Sequence, residues 1–209
     1  MLKAGFARRV ITPAKAMTLA GFDRRSQPAQ GTLEDLYVTV LALQNGEEDP
    51  FLLCSFDLLG TDHALCEKVR QALPLPPERV WVCATHTHAA PRGAFSGGIS
   101  QDDGYIDSLV ANCKEAAFAA MEDLLSAQAL WGETTAEGVA SLRDVPREQS
   151  AYAMPLCSLW LKREKEDIGF LRFQCHPTVL DESNLHYSRD LPGGMDDKNT
   201  VFLNGACAD

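Results

Sequence analysis

The sequence predicts an α/β domain in which a mixed β-sheet is layered with helices. Apolar runs of strand length recur along the chain, and a segment with helical periodicity separates two of them, as in a β-α-β unit. Other apolar runs follow each other closely enough to form hairpins. Polar residues that could carry chemistry stand where predicted strands end, so we expect the catalytic groups on loops at strand ends.

The first half of the chain predicts a hairpin followed by the β-α-β unit. Asn45 and Gly46 form a turn signal between two apolar runs, which is typical of a β-hairpin. Thr61 stands where it can cap a helix, and the segment PLPPER ends that helix because proline cannot continue it. The predicted elements are strands over 36–44, 51–57 and 80–85, and a helix from Thr61 to about Leu73.

The second half predicts one long helix and several strands. Asp102 or Asp103 can cap a helix over residues 104–126, because apolar residues recur there at helical spacing. Two apolar runs flank the charged turn REKED and predict a second hairpin. The other predicted segments are a strand over 129–134, an irregular loop over 141–152, hairpin strands over 156–162 and 168–175, and a closing strand from Val201.

The overall composition limits the classes of function. The 209 residues carry a formal net charge of −10 with no basic stripe, so we expect no nucleic-acid partner. No apolar run approaches the roughly 18 residues that cross a bilayer. No leader is recognisable at the N-terminus, which favours a cytoplasmic protein, or a secreted one whose leader is absent from this sequence. The sequence leaves a homo-oligomer open.

The cysteines favour a reducing compartment. There are seven of them, an odd number, and their spacing is irregular with no CxxC pair. Most lie inside apolar runs, so we expect reduced, buried thiols that behave as small hydrophobic side chains.

Two histidines at the end of a predicted strand indicate a metal site. The strand VWVCA leads into THTHAAP, which contains His86 and His88. Residues i and i+2 of a strand point to one face, so both imidazoles can face one pocket if the strand continues that far. His176 also follows an apolar strand, whose pairing Pro177 ends. Imidazole nitrogen is a preferred ligand of zinc, which is therefore the predicted cofactor.

Several other kinds of site are excluded because their motifs are missing. The sequence contains no GxGxxG after a strand, no GxxxxGK[ST], no HExxH and no GxSxG. Ala89, Ala90 and Pro91 stand where the HxHxDH metallo-hydrolase signature needs Asp-His. Of the remaining histidines, His63 is expected on the surface of a helix, and His186 is either a substrate contact or a solvated loop residue.

Six blocks of the sequence resemble the neutral, non-lysosomal ceramidases. ATHTHAAP resembles the THTHSGPGG stretch of that family, and FQCHPTVLDESNLHYSRDLPGG resembles the segment around its HPT motif. The other blocks are AGFARRVITP, CSFDLLG, SLRDVPREQSAY and TVFLNGACAD. All six appear in the family's order at similar spacing. The resemblance implies one domain over residues 1–209, equivalent to the N-terminal catalytic domain of the family and incomplete at its C-terminus.

The resemblance also implies a reaction and residue roles. The family hydrolyses the amide of ceramide, an N-acyl lipid, with a zinc-activated water that attacks the acyl carbon. His86 and His176 match its two histidine zinc ligands. His88 matches the histidine that holds the substrate or transition state, and Arg143 matches the active-site arginine. A glutamate and a tyrosine from further downstream complete the zinc site in the family.

Two carboxylates remain open as further zinc ligands. Asp57 follows a predicted strand, and its alternative role is to form the turn at the strand end. Asp190 lies in SRDLPGG, and its alternative role is to cap the loop or to form a salt bridge. With a carboxylate ligand, the protein would be a metal-dependent hydrolase of another small ester or amide. A third hypothesis is a metal-binding domain without catalytic activity.

Overall fold

A mixed eight-stranded sheet packed against helices forms the core of the protein, which confirms the predicted α/β fold. The computed structural model describes residues 1–92, 102–140, 153–195 and 198–207. The strands of the large sheet are β1 (Leu2–Val10), β3 (Tyr37–Asn45), β4 (Phe51–Phe56), β5 (Val80–Ala84), β6 (Leu125–Ala136), β7 (Met154–Arg163), β8 (Ile168–Phe173) and β10 (Thr200–Asn204). A small sheet contains β2 (Gly31–Thr32) and β9 (His186–Tyr187), and the helices are α1 (His63–Gln71), α2 (Asp103–Glu122) and α3 (Leu191–Gly194). In these ranges, no helix has the length and apolar character needed to cross a bilayer.

The large sheet combines parallel and antiparallel strands in the order β10-β8-β7-β6-β1-β3-β4-β5. β3 pairs antiparallel with β1 and β4, and β5 pairs parallel with β4 after the chain passes through α1. β6, β7 and β8 form an antiparallel meander, which β10 joins in parallel beside β8. The two predicted hairpins and the β-α-β unit are therefore confirmed.

The sheet folds back on itself at the boundary between β1 and β6. These two strands pair at Lys3–Ser126 and Ala4–Leu125, whereas β6 pairs with β7 over almost its whole length. The half that contains β6 to β10 diverges from the other half, and β10 packs against β3, β4 and β5. The Ser55 hydroxyl on β4 donates a hydrogen bond of 3.0 Å to the carbonyl of Phe202 on β10. This packing places the end of β10 beside the end of β5.

Apolar side chains fill both faces of the first half of the sheet. Because side chains alternate along a strand, residues on both faces of β3 and β4 must be apolar when both faces are covered. The layer beneath the helices includes Val38, Val40, Leu52, Leu65 and Leu109. The layer between the two halves of the sheet includes Leu41, Leu53, Leu161, Ile168 and Val201. Each such side chain contributes about 1.5–3 kcal/mol of burial free energy.

Aspartates cap the two long helices. The Asp62 carboxylate accepts a hydrogen bond of 2.8 Å from the backbone N–H of Leu65, which satisfies one of the exposed donors in the first turn of α1. The predicted Thr61 cap is therefore wrong by one residue, because α1 begins only at His63. Asp102 caps α2 by accepting from the N–H of Tyr105 at 3.0 Å, and it is one of the two predicted caps.

Replacing Asp62 with alanine is expected to lower the free energy of unfolding by about 1 kcal/mol, because the first turn of α1 loses its acceptor. Thr61→Ala, one residue earlier, serves as the control and is expected to change that free energy by less than about 0.5 kcal/mol. Urea denaturation of both variants measures the difference. Equal losses in the two variants would contradict the assignment of the cap.

All seven cysteines are free thiols, as the sequence predicts. Cys54, Cys113, Cys157 and Cys175 are buried, and the other three are partly exposed. Burial raises the pKa of Cys83 to about 12, so its thiol stays protonated at neutral pH.

Candidate metal centre

Three loops that follow strands meet at one edge of the folded sheet. β5 leads into the loop with His86 and His88, β8 leads into the loop with His176, and β10 leads into the loop with Cys207. The packing of β10 against β4 and β5 brings the third loop to the first. The polar groups thus lie on loops at strand ends, where a rigid sheet positions them.

A sharp backbone turn, rather than strand geometry, aligns the two histidines of the THTH motif. β5 ends at Ala84, and His86 has a φ of 69°. This left-handed conformation costs roughly 1–2 kcal/mol for a residue with a Cβ atom. The His86 N–H donates to the carbonyl of Leu58 at 3.0 Å, which helps to hold the turn. The expected i, i+2 alternation does not apply, because the strand stops before it reaches His86.

His86, His88 and His176 form a compact triangle of imidazole rings. The ring centroids of His86 and His88 lie 5.2 Å apart, and each lies 4.8 Å from the centroid of His176. The Nε2 atoms of His88 and His176 are 2.9 Å apart. The structure therefore brings together three of the residues that the sequence singled out.

Backbone carbonyls orient two of these rings. His86 Nδ1 lies 2.6 Å from the carbonyl oxygen of Leu59, and His176 Nδ1 lies 3.2 Å from that of Cys207. A carbonyl oxygen only accepts hydrogen bonds, so each Nδ1 carries the proton and each Nε2 keeps its lone pair. In the 2.9 Å contact, His88 Nε2–H is then the donor to His176. Histidines that bind metals usually donate their second ring nitrogen in this way.

Cys207 adds a thiol to the cluster. Its Sγ and one ring nitrogen each of His86 and His176 all lie within 4.8 Å of one another, and all three residues are partly exposed. Cys207 is not among the predicted ligands, because the apolar runs around most of the cysteines favour buried thiols. The signal that could have found it is its position, since Cys207 follows β10 much as His176 follows β8.

Burial lowers the pKa of two of the imidazoles. Desolvation lowers the pKa of His86, although its hydrogen bond to Leu59 opposes this effect. Desolvation also lowers the pKa of His88 to about 4, and the neighbouring His176 and His86 add to the effect. A metal ion binds the neutral form of an imidazole ring, so the lowered pKa of His86 favours metal binding at that residue. The pKa of the Cys207 thiol is raised by burial, so a metal would have to displace its proton.

A glycine makes room for His88. Gly21 has a φ of 92°, and a Cβ atom at this position would overlap Cγ and Nδ1 of the His88 ring. The ring of Phe22 packs edge-on against the His88 ring with centroids 5.0 Å apart. The Arg25 guanidinium donates to the backbone carbonyls of Ala20 and His88, which ties the two segments together. The segment around Gly21 therefore determines where His88 points.

Gly21→Ala is expected to destabilise the protein and displace the His88 ring. Gly46→Ala is the matched control, because Gly46 also has a positive φ, of 61°, but has no atom within 4 Å of an added Cβ. Both variants bear the left-handed backbone cost of about 1–2 kcal/mol, and overlap adds roughly 1–3 kcal/mol at Gly21 alone. Chemical denaturation and the NMR signals of the histidine rings measure the two effects. If the two variants were equally destabilised and the His88 signals stayed unmoved in both, the proposed contact between Gly21 and His88 would be contradicted.

The three histidines line a cavity of about 660 Å³. Phe22 and Leu59 form an apolar part of the cavity wall, whereas Thr178 and Asp181 form a polar part. Small-molecule sites commonly combine a mostly apolar lining with a few placed polar groups in a volume of about 300–1,000 Å³. The cavity can therefore hold a small molecule with an apolar group against the imidazoles.

Asp57 lies in a buried ion pair next to the histidine loop. Its carboxylate accepts from Arg189 Nε at 2.8 Å, from the Tyr37 N–H at 2.9 Å and from the Thr85 hydroxyl at 3.2 Å. Burial raises the pKa of the Asp57 carboxyl, and the charge of Arg189 opposes that rise. Thr85 precedes His86 directly, so this pair supports the base of the loop. A ligand role for Asp57 stays a prediction.

The other predicted residues lie outside the His/Cys cluster or outside the described residues. The Asp190 carboxylate accepts from the backbone N–H groups of Val179, Leu180 and Leu191 at 3.1, 2.9 and 2.6 Å. His186 lies half-buried in β9, which pairs with β2. The role of Asp190 as a ligand and the role of His186 as a substrate contact stay predictions. Arg143 and the 141–152 loop lie outside the described residues.

The architecture as a whole resembles solved ceramidase structures. A crystal structure of neutral ceramidase from Pseudomonas aeruginosa aligns with a TM-score of 0.80 at 16% sequence identity, over 97% of this chain and 38% of that chain. The chain shares the neutral ceramidase fold. A structure of ceramidase complexed with C2 gives the same TM-score and identity, over 97% of this chain and 37% of the other. No protein-family model matches the sequence, and no curated protein gives a significant match.

The donor atoms of the His/Cys cluster fit a zinc ion. Two imidazole nitrogens and one thiol are ligand types that zinc prefers, whereas magnesium and calcium prefer oxygen. The two rings with protonated Nδ1 are His86 and His176, which are the residues matched to the ceramidase zinc ligands. This chain spans about 38% of the length of the neutral ceramidase chain with which it aligns.

Proposed function

We propose that this protein is a zinc-dependent amide hydrolase that resembles neutral ceramidase, with an N-acyl lipid as its substrate class. The observation that carries the proposal is the convergence of His86, His88 and His176 on one cavity within a ceramidase-like fold. In the reaction, water adds to the acyl carbon, the C–N bond breaks, and the amine leaves with a proton.

His86 and His176 would hold the zinc ion through their Nε2 atoms. A zinc ion bound there supplies a Lewis acid and an activated water near neutral pH. The hydrogen bonds from each Nδ1–H to the carbonyls of Leu59 and Cys207 orient the rings in advance, so metal binding needs little rearrangement of the side chains.

His88 would act on the substrate rather than on the metal. Its Nε2–H donates to His176 in the structure, and this donor becomes available once the His176 lone pair is engaged by zinc. A neutral, buried N–H aimed at the scissile carbonyl oxygen stabilises the negative charge that develops there. The low pKa of His88 keeps the ring neutral through the physiological pH range. Arg143 is proposed, from its sequence match, to add positive charge at the same oxygen.

The cavity wall supports the lipid substrate class and leaves one alternative. Phe22 and Leu59 offer an apolar surface next to the histidines, which suits an acyl chain. Asp181 favours a second candidate function, the hydrolysis of a small polar amide or ester. A hydrogen bond from Ser183 lowers the pKa of the Asp181 carboxyl, so this wall of the cavity is negatively charged at neutral pH.

A reducing compartment, such as the cytoplasm, is proposed as the location of the protein. The thiols of Cys54 and Cys113 interact within the core, yet both are free. Neighbouring cysteines tend to be oxidised to disulfides in secreted proteins. Titration of the thiols in freshly purified protein tests this, with seven reactive thiols expected after denaturation.

Hydrolysis by zinc-loaded protein tests the proposed function. The panel should contain N-acyl sphingosines of short and long chain, N-acyl amino acids and simple esters, with release of the acid and the amine measured directly. We expect cleavage of the lipid amides and a loss of about 10²–10³-fold in kcat for His88→Ala with zinc still bound. Cleavage of the polar substrates alone would favour the second candidate. A zinc-loaded protein that cleaves nothing on the panel would overturn both.

A further inference from the structure

We propose that Cys207 Sγ is a third protein ligand of the zinc ion, which makes the site His86–His176–Cys207. This inference rests on the zinc site of the proposed function and deepens it. It differs from the ligand set that the ceramidase resemblance implies, in which carboxylate and phenol groups from a downstream segment complete the site. Here the thiol of Cys207 takes a ligand position.

The three donor atoms are close to a coordinating arrangement. They lie within 4.8 Å of one another. In a tetrahedral site with Zn–N of about 2.0–2.1 Å and Zn–S of about 2.3 Å, the donors lie roughly 3.5 Å apart. A contraction of at most about 1.3 Å is therefore sufficient. All three side chains are partly exposed, so small rotations can supply it without repacking the core.

The backbone around Cys207 is already tied to both histidine loops. The Cys207 carbonyl accepts the Nδ1–H of His176 at 3.2 Å, so one residue both orients a histidine ligand and presents the thiol beside it. Asn204, at the end of β10, donates to the carbonyl of Thr85 at 3.4 Å, next to His86. Its side chain also interacts with the Cys207 thiol. These contacts restrain the Cys207 thiol beside His86 and His176.

The two carboxylates that the sequence left open as zinc ligands have other partners. Asp57 accepts from Arg189, Thr85 and Tyr37, as described above. Asp190 accepts from three backbone N–H groups. A carboxylate would have to give up these hydrogen bonds before it could bind a metal, whereas the thiol of Cys207 would exchange only a proton and its contact with Asn204.

A thiol ligand has two consequences for the site. Three protein ligands leave the fourth tetrahedral position open to water or substrate, as in other catalytic zinc sites. A soft sulfur ligand also selects zinc and cobalt over magnesium and calcium. We therefore expect magnesium and calcium not to compete for the site at equal concentration.

Cobalt titration of the whole chain tests the proposal without reference to activity. Sulfur bound to Co²⁺ produces a ligand-to-metal charge-transfer band in the near ultraviolet, and imidazole alone does not. The titration compares the unmodified protein, Cys207→Ala and Cys66→Ala, with all samples reduced and then freed of reductant. Cys66 is the matched control, because it is also a partly exposed free cysteine but lies on α1. Alkylation followed by mass spectrometry adds a second readout, because zinc should protect Cys207 and not Cys66.

We expect the charge-transfer band in the unmodified protein and in Cys66→Ala, its loss in Cys207→Ala, and cobalt binding more than about 100-fold weaker in that variant, as for the loss of any ligand. Cobalt binding without the band, or a band that survives in Cys207→Ala, would overturn the role of Cys207 and leave the histidine site standing. A chain that binds neither cobalt nor zinc would overturn the metal site of the proposed function as well.

Discussion

His86→Ala and His176→Ala are each expected to leave the purified protein without zinc and without hydrolytic activity. Each substitution removes one of the two imidazoles whose Nδ1–H is held by a backbone carbonyl, which leaves the lone pair on Nε2. Changes to groups that merely orient a ligand weaken metal binding about 10–100-fold, so loss of a ligand should weaken it by more than about 100-fold. Zinc content by mass spectrometry, beside the hydrolysis rate, measures both effects.

The matched control is His63→Ala, which removes an exposed histidine from the first turn of α1, away from the cavity. It should keep the zinc content and the rate of the unmodified protein. Circular dichroism should show the same fold in all three variants, because His86 and His176 are only partly buried. Full zinc content in either site variant would mean that the metal, where present, is held elsewhere.

Asp57→Asn is expected to lower the free energy of unfolding by about 3–5 kcal/mol. The side chains of Asp57 and Arg189 are only 3% and 5% exposed, so their charges are shielded from water and depend on each other. The substitution keeps the shape of the side chain but removes the negative charge beside the buried guanidinium. Denaturation in urea at neutral pH measures the loss. Thr85, which directly precedes His86, donates to the same carboxylate. The loss of stability should therefore be accompanied by weaker zinc binding at His86.

Asp107→Asn provides the comparison, since Asp107 pairs with Lys68 on the surface at 3.2 Å and its side chain is 74% exposed. Such exposed pairs contribute less than about 1 kcal/mol, so this variant should unfold almost like the unmodified protein. A similar small effect for Asp57→Asn would show that the buried pair is not a net source of stability. Added salt should change the small effect at Asp107 and leave the large one at Asp57 nearly unchanged.

Much of the fold is predictable from local pattern. The apolar run LYVTVLALQ and the turn at Asn45 and Gly46 correctly predicted the β3–β4 hairpin, because strand length, turn chemistry and burial on both faces agree there. The cap of α1 was placed one residue too early, at Thr61 instead of Asp62. Both residues can cap a helix, and only the backbone conformation at the helix start distinguishes them.

The candidate site was predictable in part. His86, His88 and His176 were found because each follows an apolar strand and matches a ceramidase motif, and the structure brings all three together. The predicted reason for the alignment of His86 with His88 was wrong, since β5 ends before them and a positive φ at His86 turns the chain. Cys207 was missed: its position after β10 matches that of His176 after β8, but its residue type does not distinguish it from the cysteines of the core.

Local pattern predicted seven strands of the large sheet, the two long helices and the polar residues that follow the strands, because hydrophobic periodicity and turn residues act over a few neighbouring positions. The small sheet and α3 carry no such periodicity. The position of Cys207 beside His86 and His176 follows from tertiary packing alone. That proximity depends on the divergence of the sheet at β1 and β6 and on the return of β10 over β4, where Ser55 meets the Phe202 carbonyl. Contacts of this kind join residues far apart in the chain, and no local pattern records them.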